Sequence, residues 1–379
     1  PEGGFFSAED ADSACDYRSP EKTTEGAFYL WTVDEIRVAL DGYNAEEIEE
    51  FLSSYGVTQS GNTFSDPHGE FKNGNVLYRS DKFKAMPGHW RSALLVIRNQ
   101  RMRPLLDDKV IAGWNGLAIS ALSIGGRILH RDDFVSAAMT AASFARTTLT
   151  SGRKLFRRYR GGENRHPAGL SDYSFMINGL IEAYQSTGEV WLLELASEYT
   201  ETIIEQFFDQ NGVFYDTPAG QKDLIIRSSD LHDAAEPSGT AAAIIGLLRL
   251  GRLLGRSDWV EAAYIAVAAI RSIVASQPSM MPLLAVAADL VAHPPLEVVL
   301  IGEWDETLSL RHVLSQYFLP DLGIIHVNNS TSDWWCEHRP TISAMIANGV
   351  DTCAYICSNL SCSMPVSTPD RLAGELQIN

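Results

Sequence analysis

The sequence predicts a mainly α protein whose helical hairpins form an α/α toroid, with a small β-α-β element near the C-terminus. Three observations carry this reading. Helices made of small, apolar residues alternate with striped, amphipathic ones. The alternation recurs from Asp108 onward at intervals of about sixty residues, and such repetition marks a stacked architecture. After Pro294 the pattern stops and a run of β-branched and aliphatic residues, Leu296–Ile301, takes its place. The chain therefore divides into a toroid part, 1–293, and a small α/β element, 294–379.

The elements follow in order. Gly3–Ser7 reads as a short strand entering an acidic loop, and the aromatic run Gly26–Trp31 pairs with it as a hairpin. Thr32 and Glu35 have the spacing of a capping box, which starts a helix running to Leu40. A second helix spans Ala45–Tyr55. Gly56–Tyr78 is rich in Gly, Asn, Ser and Asp and reads as loop. Lys82–Arg101 is helical and ends basic, as the helix dipole favours.

Three repeats come next. Gly113-Trp114-Asn115-Gly116 precedes an apolar helix, Leu117–Ile128, which an amphipathic helix follows at Asp132–Leu149. Gly169-Leu170-Ser171-Asp172-Tyr173 precedes Ser174–Thr187, with Trp191–Phe208 as its partner. Glu236-Pro237-Ser238-Gly239 precedes Thr240–Leu254, with Asp258–Ala275 as its partner. An all-apolar helix needs cover on every side, and a striped helix supplies it. Repetition gives an inner ring of buried helices and an outer ring of amphipathic ones. A fourth inner start is placed near Pro282. Beyond Leu296–Ile301 the expectation is a helix at Thr307–Tyr317, strands at Gly323–Val327 and Thr352–Cys357, and a short C-terminal helix.

Composition narrows the function. The 379 residues carry a formal net charge of −18. Phosphate binding needs a basic surface, so nucleic acid is an unsuitable partner, and so is an anionic membrane. No apolar stretch is read as long enough to cross a bilayer. The numbering opens at Pro1, and the expectation is a fragment of a longer protein. Cys15, Cys336, Cys353, Cys357 and Cys362 form an odd, clustered set. They are read as free or buried thiols, which fits a cytoplasmic or other reducing compartment. No metal or cofactor motif is read.

Several stretches resemble the spermatogenesis-associated protein 20 family. They are GGFFSAEDADS at Gly3–Ser13, GAFYLWT at Gly26–Thr32, DDKVIAGWNGLAISAL at Asp107–Leu122, GLSDYSFMINGLIEAY at Gly169–Tyr184 and AAEPSGTAAAIIGLLRL at Ala234–Leu250. YICSNLSCSMP at Tyr355–Pro365 is similar to the family's C-terminal segment. The resemblance implies a thioredoxin-like domain upstream, followed by an (α/α)6 toroid of the six-hairpin glycosidase or N-acylglucosamine 2-epimerase type. The thioredoxin-like domain is not expected within this chain, and the resemblance also places the family's first helical hairpins upstream of Pro1, so the toroid is expected to be incomplete at its N-terminal side. It implies a carbohydrate-related function without naming a reaction.

In such a toroid the N-terminal ends of the inner helices gather at one end of a central funnel. That places Trp114, Asn115, Tyr173 and Ser238 there as sugar-binding candidates, with Asp172 and Glu236 as catalytic candidates. Aromatic faces stack on sugar rings, and Asp, Asn and Glu take hydroxyls. Asp172 and Ser238 are equally good helix caps, and Pro237 suits a first helical position. Trp114 and Tyr173 could equally be core. Glu9, Asp10 and Asp12 form an acidic patch. Asp12 is the third catalytic candidate, since paired carboxylates serve glycoside hydrolysis; a cation site or a solvated turn are the other readings. Arg158 and Tyr159, before Gly161-Gly162, are placed at the funnel rim, where an arginine can hold an anion or pair with a nearby acid. His232 suits acid–base work near neutrality, or is a surface loop residue. Two functions compete: an enzyme acting on a sugar, glycosidase-like or isomerase-like, and a non-catalytic ligand- or protein-binding module serving a thioredoxin-like domain.

Overall fold

A computed structural model describes residues 3–14, 19, 21–63, 69, 71, 73–83, 88–358 and 361–378. Residues 6–108 form one compact unit and the rest of the chain forms another. The division thus falls near Lys109 rather than at 294, and the two cores explain it. Trp31, Ile36, Phe51 and Trp90 make a separate cluster in the smaller unit. The C-terminal sheet, by contrast, shares a core with the repeat helices.

The smaller unit contains β1 (Ala8–Glu9), β2 (Asp12–Ala14), β3 (Thr23–Glu25), α1 (Val33–Ala39), α2 (Ala45–Ser54), α3 (Gly88–Arg98) and β4 (Leu106–Asp107). The capping box forms: Thr32 accepts from the Glu35 N–H, and the Glu35 carboxylate accepts from the Thr32 N–H. The anticipated hairpin between Gly4–Ser7 and Gly26–Trp31 does not form; β2 pairs with β3, and β1 with β4. Gly26 adopts φ +71° and its carbonyl accepts from both Tyr29 and Leu30. That turn removes Gly26–Leu30 from any ladder, despite its aromatic content.

The larger unit opens with β5 (Val110–Ile111), α4 (Ala112–Leu129) and α5 (Asp132–Phe144), which ends in a π-helical stretch, Ala145–Leu149. The strands β6 (Thr150–Ser151), β7 (Lys154–Arg160) and β8 (Glu163–Pro167) follow. Two further helix pairs and a single helix complete the repeats: α6 (Leu170–Thr187) with α7 (Trp191–Gln206), α8 (Gly239–Leu254) with α9 (Ser257–Ser276), then α10 (Pro282–Ala292). The inner helices α4, α6, α8 and α10 pack in sequence order, with α5, α7 and α9 outside them. This is a mainly helical arc of α-hairpins of the toroid type. By length and composition α9 is sufficient to cross a bilayer, contrary to the sequence reading. Here it lays Trp259, Ala263, Ala266 and Ile270 into the repeat core.

Helices α4 and α6 each begin earlier than expected, so Trp114-Asn115 and Asp172-Tyr173 lie in first helical turns and not in loops. The cause is a close crossing. A Cβ on Gly116 would stand 2.5 Å from the Phe175 carbonyl carbon, and one on Gly179 would stand 2.5 Å from the Gly116 oxygen. These glycines are there so that two helix backbones can touch.

The C-terminal part holds β9 (Glu297–Ile301), α11 (Leu308–Ser315), β10 (Gly323–Val327), α12 (Ser332–His338), α13 (Thr341–Ala347), β11 (Cys353–Ser358), β12 (Ser361–Cys362) and α14 (Pro369–Ile378). The β9-α11-β10 unit is parallel, as a β-α-β element requires. β11 adds antiparallel on the other side of β9. Cys357 and Cys362 face each other across the β11–β12 hairpin and are joined as a disulfide. They are not the thiols the sequence suggested: spacing alone hid the hairpin that brings them together. Cys336 and Cys353 are free, and Cys15 lies outside the described residues.

Candidate functional site

The first turns of α4, α6 and α8 abut. A Cβ on Gly113 would lie 3.0 Å from Asp172 Oδ1, and one on Gly239 would lie 3.1 Å from the Ser171 Cα. Trp114, Asn115, Asp172, Tyr173 and Ser238 are thereby gathered at one end of the inner helices.

Asp172 is 2% exposed. The N-cap of α6 is Gly169, and Asp172 stands three residues on, accepting from the Gly169 N–H at 2.9 Å. It also accepts from the Gly113 N–H at 3.1 Å and from Arg157 Nη1 at 3.1 Å. Burial pushes its carboxyl pKa up, while Arg157 and the two amides pull it back. Its three donors make it both a cap of α6 and a latch to α4. Ser238 is the N-cap of α8, accepting from the Ala241 N–H and donating to the Asp230 carbonyl. Asn115 is equally engaged: it accepts from the Phe5 N–H at 2.8 Å and donates to the Phe5 and Ile111 carbonyls. The Tyr173 hydroxyl accepts from the Leu155 N–H, and its ring packs on Tyr199 and Phe207. Tyr159 packs its ring edge-on against Phe144.

Other groups at this end face solvent. The Trp114 ring is 44% exposed. Glu236 is exposed in the loop before α8, beside a hollow of about 390 Å³ closed by the start of α10. His232 is exposed, 3.5 Å from Asp230 Oδ1. Arg158 sits in β7 opposite Ile111 and Arg165, with its Nε buried and without a hydrogen-bond partner among the described residues.

In the smaller unit, Glu9 is paired with Arg103 at 2.6 Å and accepts from the Tyr29 hydroxyl, and the Arg103 bond holds its carboxyl below the usual range. Asp10 accepts from the Asp12 N–H, and Asp12 accepts from the Thr23 hydroxyl. Among the described residues no group of three His, Cys, Asp or Glu is placed to hold a metal ion.

Sequence reasoning missed two residues here. Arg157, not its neighbour Arg158, reaches Asp172. A strand alternates faces, so Arg157 shares the side of buried Leu155, and that period was the available signal. Asp233 accepts from the Ser238 N–H and the Leu283 N–H, both at 2.7 Å, and so staples the loop before α8 to the start of α10.

No family model matches the chain. Among solved structures, an unsaturated glucuronyl hydrolase from Bacillus sp. GL1 aligns with 63% of this chain and 56% of its own length, at 15% identity and a TM-score of 0.36. A cellobiose 2-epimerase from Bacillus thermoamylovorans aligns with 62% of this chain and 54% of its own, at 12% identity and a TM-score of 0.36. The human protein named spermatogenesis-associated protein 20 is 28% identical over 406 residues, which cover 98% of this chain and 51% of the human one. The chain thus spans about half the length of the curated relatives it matches, and over nearly all of its own length it resembles spermatogenesis-associated protein 20.

Proposed function

We propose that the larger unit is a carbohydrate-related module that binds a sugar at the N-terminal ends of α4, α6 and α8. The observation that carries this reading is the exposed Trp114 on the first turn of α4, at the end of the inner helices where Glu236 is also exposed and Arg157 reaches Asp172. An indole face offers a stacking surface to a pyranose, and the nearby carboxylate and guanidinium suit its hydroxyls. The geometry favours binding over two-carboxylate hydrolysis through Asp172, because that carboxylate is enclosed and saturated. A glycosidase-like or isomerase-like reaction would draw on Glu236 or His232, which are accessible.

A melting screen of the whole chain against mono- and disaccharides tests this. A ligand that binds only the folded state raises the melting temperature by mass action. One sugar class should give a shift that Trp114→Ala abolishes while leaving the unliganded melt unchanged. A panel with no shift sinks the reading.

A second reading, a module that docks a thioredoxin-like domain, has its own observation. Leu224, Ile225 and Ile226 stand exposed in succession in the loop between α7 and α8. Co-purification of the chain with such a domain, weakened by Ile226→Asp, would favour it.

A further inference from the structure

The other end of the inner helices holds a cleft of about 670 Å³. One wall is the last turns of α4 and α6; the other is α11 and the segment leading to β10. Its size is that of small-molecule sites. It lies about 20 Å along α4 from Trp114, at 1.5 Å per residue.

The charges lining the cleft are unevenly satisfied. Arg127 is absorbed by Glu182 at 2.7 Å and by the Ser186 hydroxyl at 2.9 Å. Arg311 is not. Its guanidinium lies over the Trp304 ring at 3.6 Å and donates one bond to the Trp304 carbonyl. Its Nε is buried without a hydrogen-bond partner among the described residues, and Asp305, which also lines the cleft, acts on it electrostatically without an ion pair among the described residues. In a chain with a net charge of −18, a half-buried arginine with no acid hydrogen-bonded to it is conspicuous. An unpaired buried donor costs about 1–3 kcal/mol unless something fills it. Beside Arg311, the His312 ring meets the His130 ring at 4.5 Å, and His130 is fixed at φ +53° where α4 ends. Leu308, Leu314, Leu322 and Ile324 supply an apolar part of the lining, and Asp132, Ser136, Gln185 and Ser315 are polar parts of it.

We propose that this cleft is a second binding site, taking a small organic carboxylate whose charged end is gripped by Arg311 and whose apolar body lies on Leu308, Leu314 and Ile324. The planar guanidinium matches a carboxylate in a forked, two-bond geometry, and stacking on Trp304 fixes its plane. His130 and His312 flank the charged end and exclude a second cation. Burial pushes the Arg311 guanidinium down to about 10, and burial together with His130 and Arg311 pulls His312 below its ordinary value. A bound anion would relieve both.

Calorimetric titration of the whole chain with octanoate, benzoate, octanol and inorganic phosphate tests the assignment. Octanoate or benzoate should bind, octanol and phosphate should bind at least tenfold more weakly, and Arg311→Gln should weaken the carboxylate tenfold or more. Leu308→Trp, which fills the cleft without touching the charge, should abolish binding as well. Trp114→Ala should leave it intact, so this site stands or falls apart from the sugar site. Binding of octanol equal to octanoate, a preference for phosphate, or full affinity in folded Arg311→Gln would overturn it.

Discussion

The Asp172 carboxylate accepts the Gly113 N–H at 3.1 Å, and this bond ties the first turn of α6 to the first turn of α4. Its second oxygen accepts from Gly169 and Arg157. Replacing Asp172 by Ala strands two backbone donors in a buried place. The expected loss is about 2–4 kcal/mol, from the cost of each unmade buried bond. Arg157→Ala, which removes a half-exposed partner, should cost under about 1 kcal/mol. Urea unfolding of both variants checks the order; equal costs would mean that the ion pair, and not the amide bonds, dominates.

Glu182 is 3% exposed and lies between Arg127 of α4 and Arg249 of α8. Burial opposes its charge, yet Arg249 and Arg127 together hold its carboxyl below the usual range. Glu182→Gln leaves two cations facing each other and should cost about 3–5 kcal/mol. A depressed carboxyl contributes its stability above its unfolded value and loses it as pH falls through the folded one. The wild type should therefore lose stability as pH falls through the folded value, a variant with all three residues apolar should lack that loss while recovering much of the neutral-pH stability, and equal acid losses in the two would assign the effect to other groups.

At the α4–α6 crossing there is no room for a methyl group. Gly116→Ala and Gly179→Ala should each destabilise by about 1–3 kcal/mol or more, since overpacking forces backbones apart. Gly161→Ala makes a useful contrast. It has open space around it but a left-handed φ of +56°, so its cost should be conformational and about 1 kcal/mol. Thermal denaturation ranks them.

His326 is buried on β10, with Nε2 3.1 Å from the Thr307 hydroxyl and Nδ1 without a partner among the described residues. Burial, and then Arg311, lowers its pKa to about 4. The unfolded chain binds the proton first, so stability contributed by the neutral ring is present above about pH 6.5 and drains away down to about pH 4. The drop should approach roughly 3 kcal/mol across that window. In His326→Gln the slope between those pH values should flatten; an unchanged slope would assign it to other groups.

Reducing Cys357–Cys362 should cost about 2 kcal/mol, the chain-entropy value for so short a loop. Chemical denaturation with and without reductant measures it, and equal midpoints would mean that β12 is held by other bonds.

Much of the fold could be read from the residues. Apolar and striped helices alternate where small and mixed residues alternate, the Thr32–Glu35 cap forms, and β9-α11-β10 follows from one aliphatic run and its neighbours. What escaped was of a different kind. Gly113 and Gly116 look like helix breakers, because the backbone of α6 that they admit is distant in sequence. Asp172 looks like a cap of its own helix, and half of its work is done on another. The aromatic run at Gly26–Leu30 looks like a strand, but a single left-handed glycine turns it. Arg311, central to the distal cleft, has no local signature: its meaning comes from the helices α4 and α6 that close the cleft around it.

The strand β9 sits in the middle of its sheet with no neutral face. Val299 and Ile301 enter the core shared with the helical arc, while Val298 and Leu300 enter a second cluster with α11 and α14. Insertion or deletion of one residue within it would exchange the two sets and place each in the wrong cavity. Over generations this strand should drift by conservative substitution and never by length. The place where the chain can least change its spacing is thus five residues long, and its Val298 is paired with Ile324 of the distal cleft.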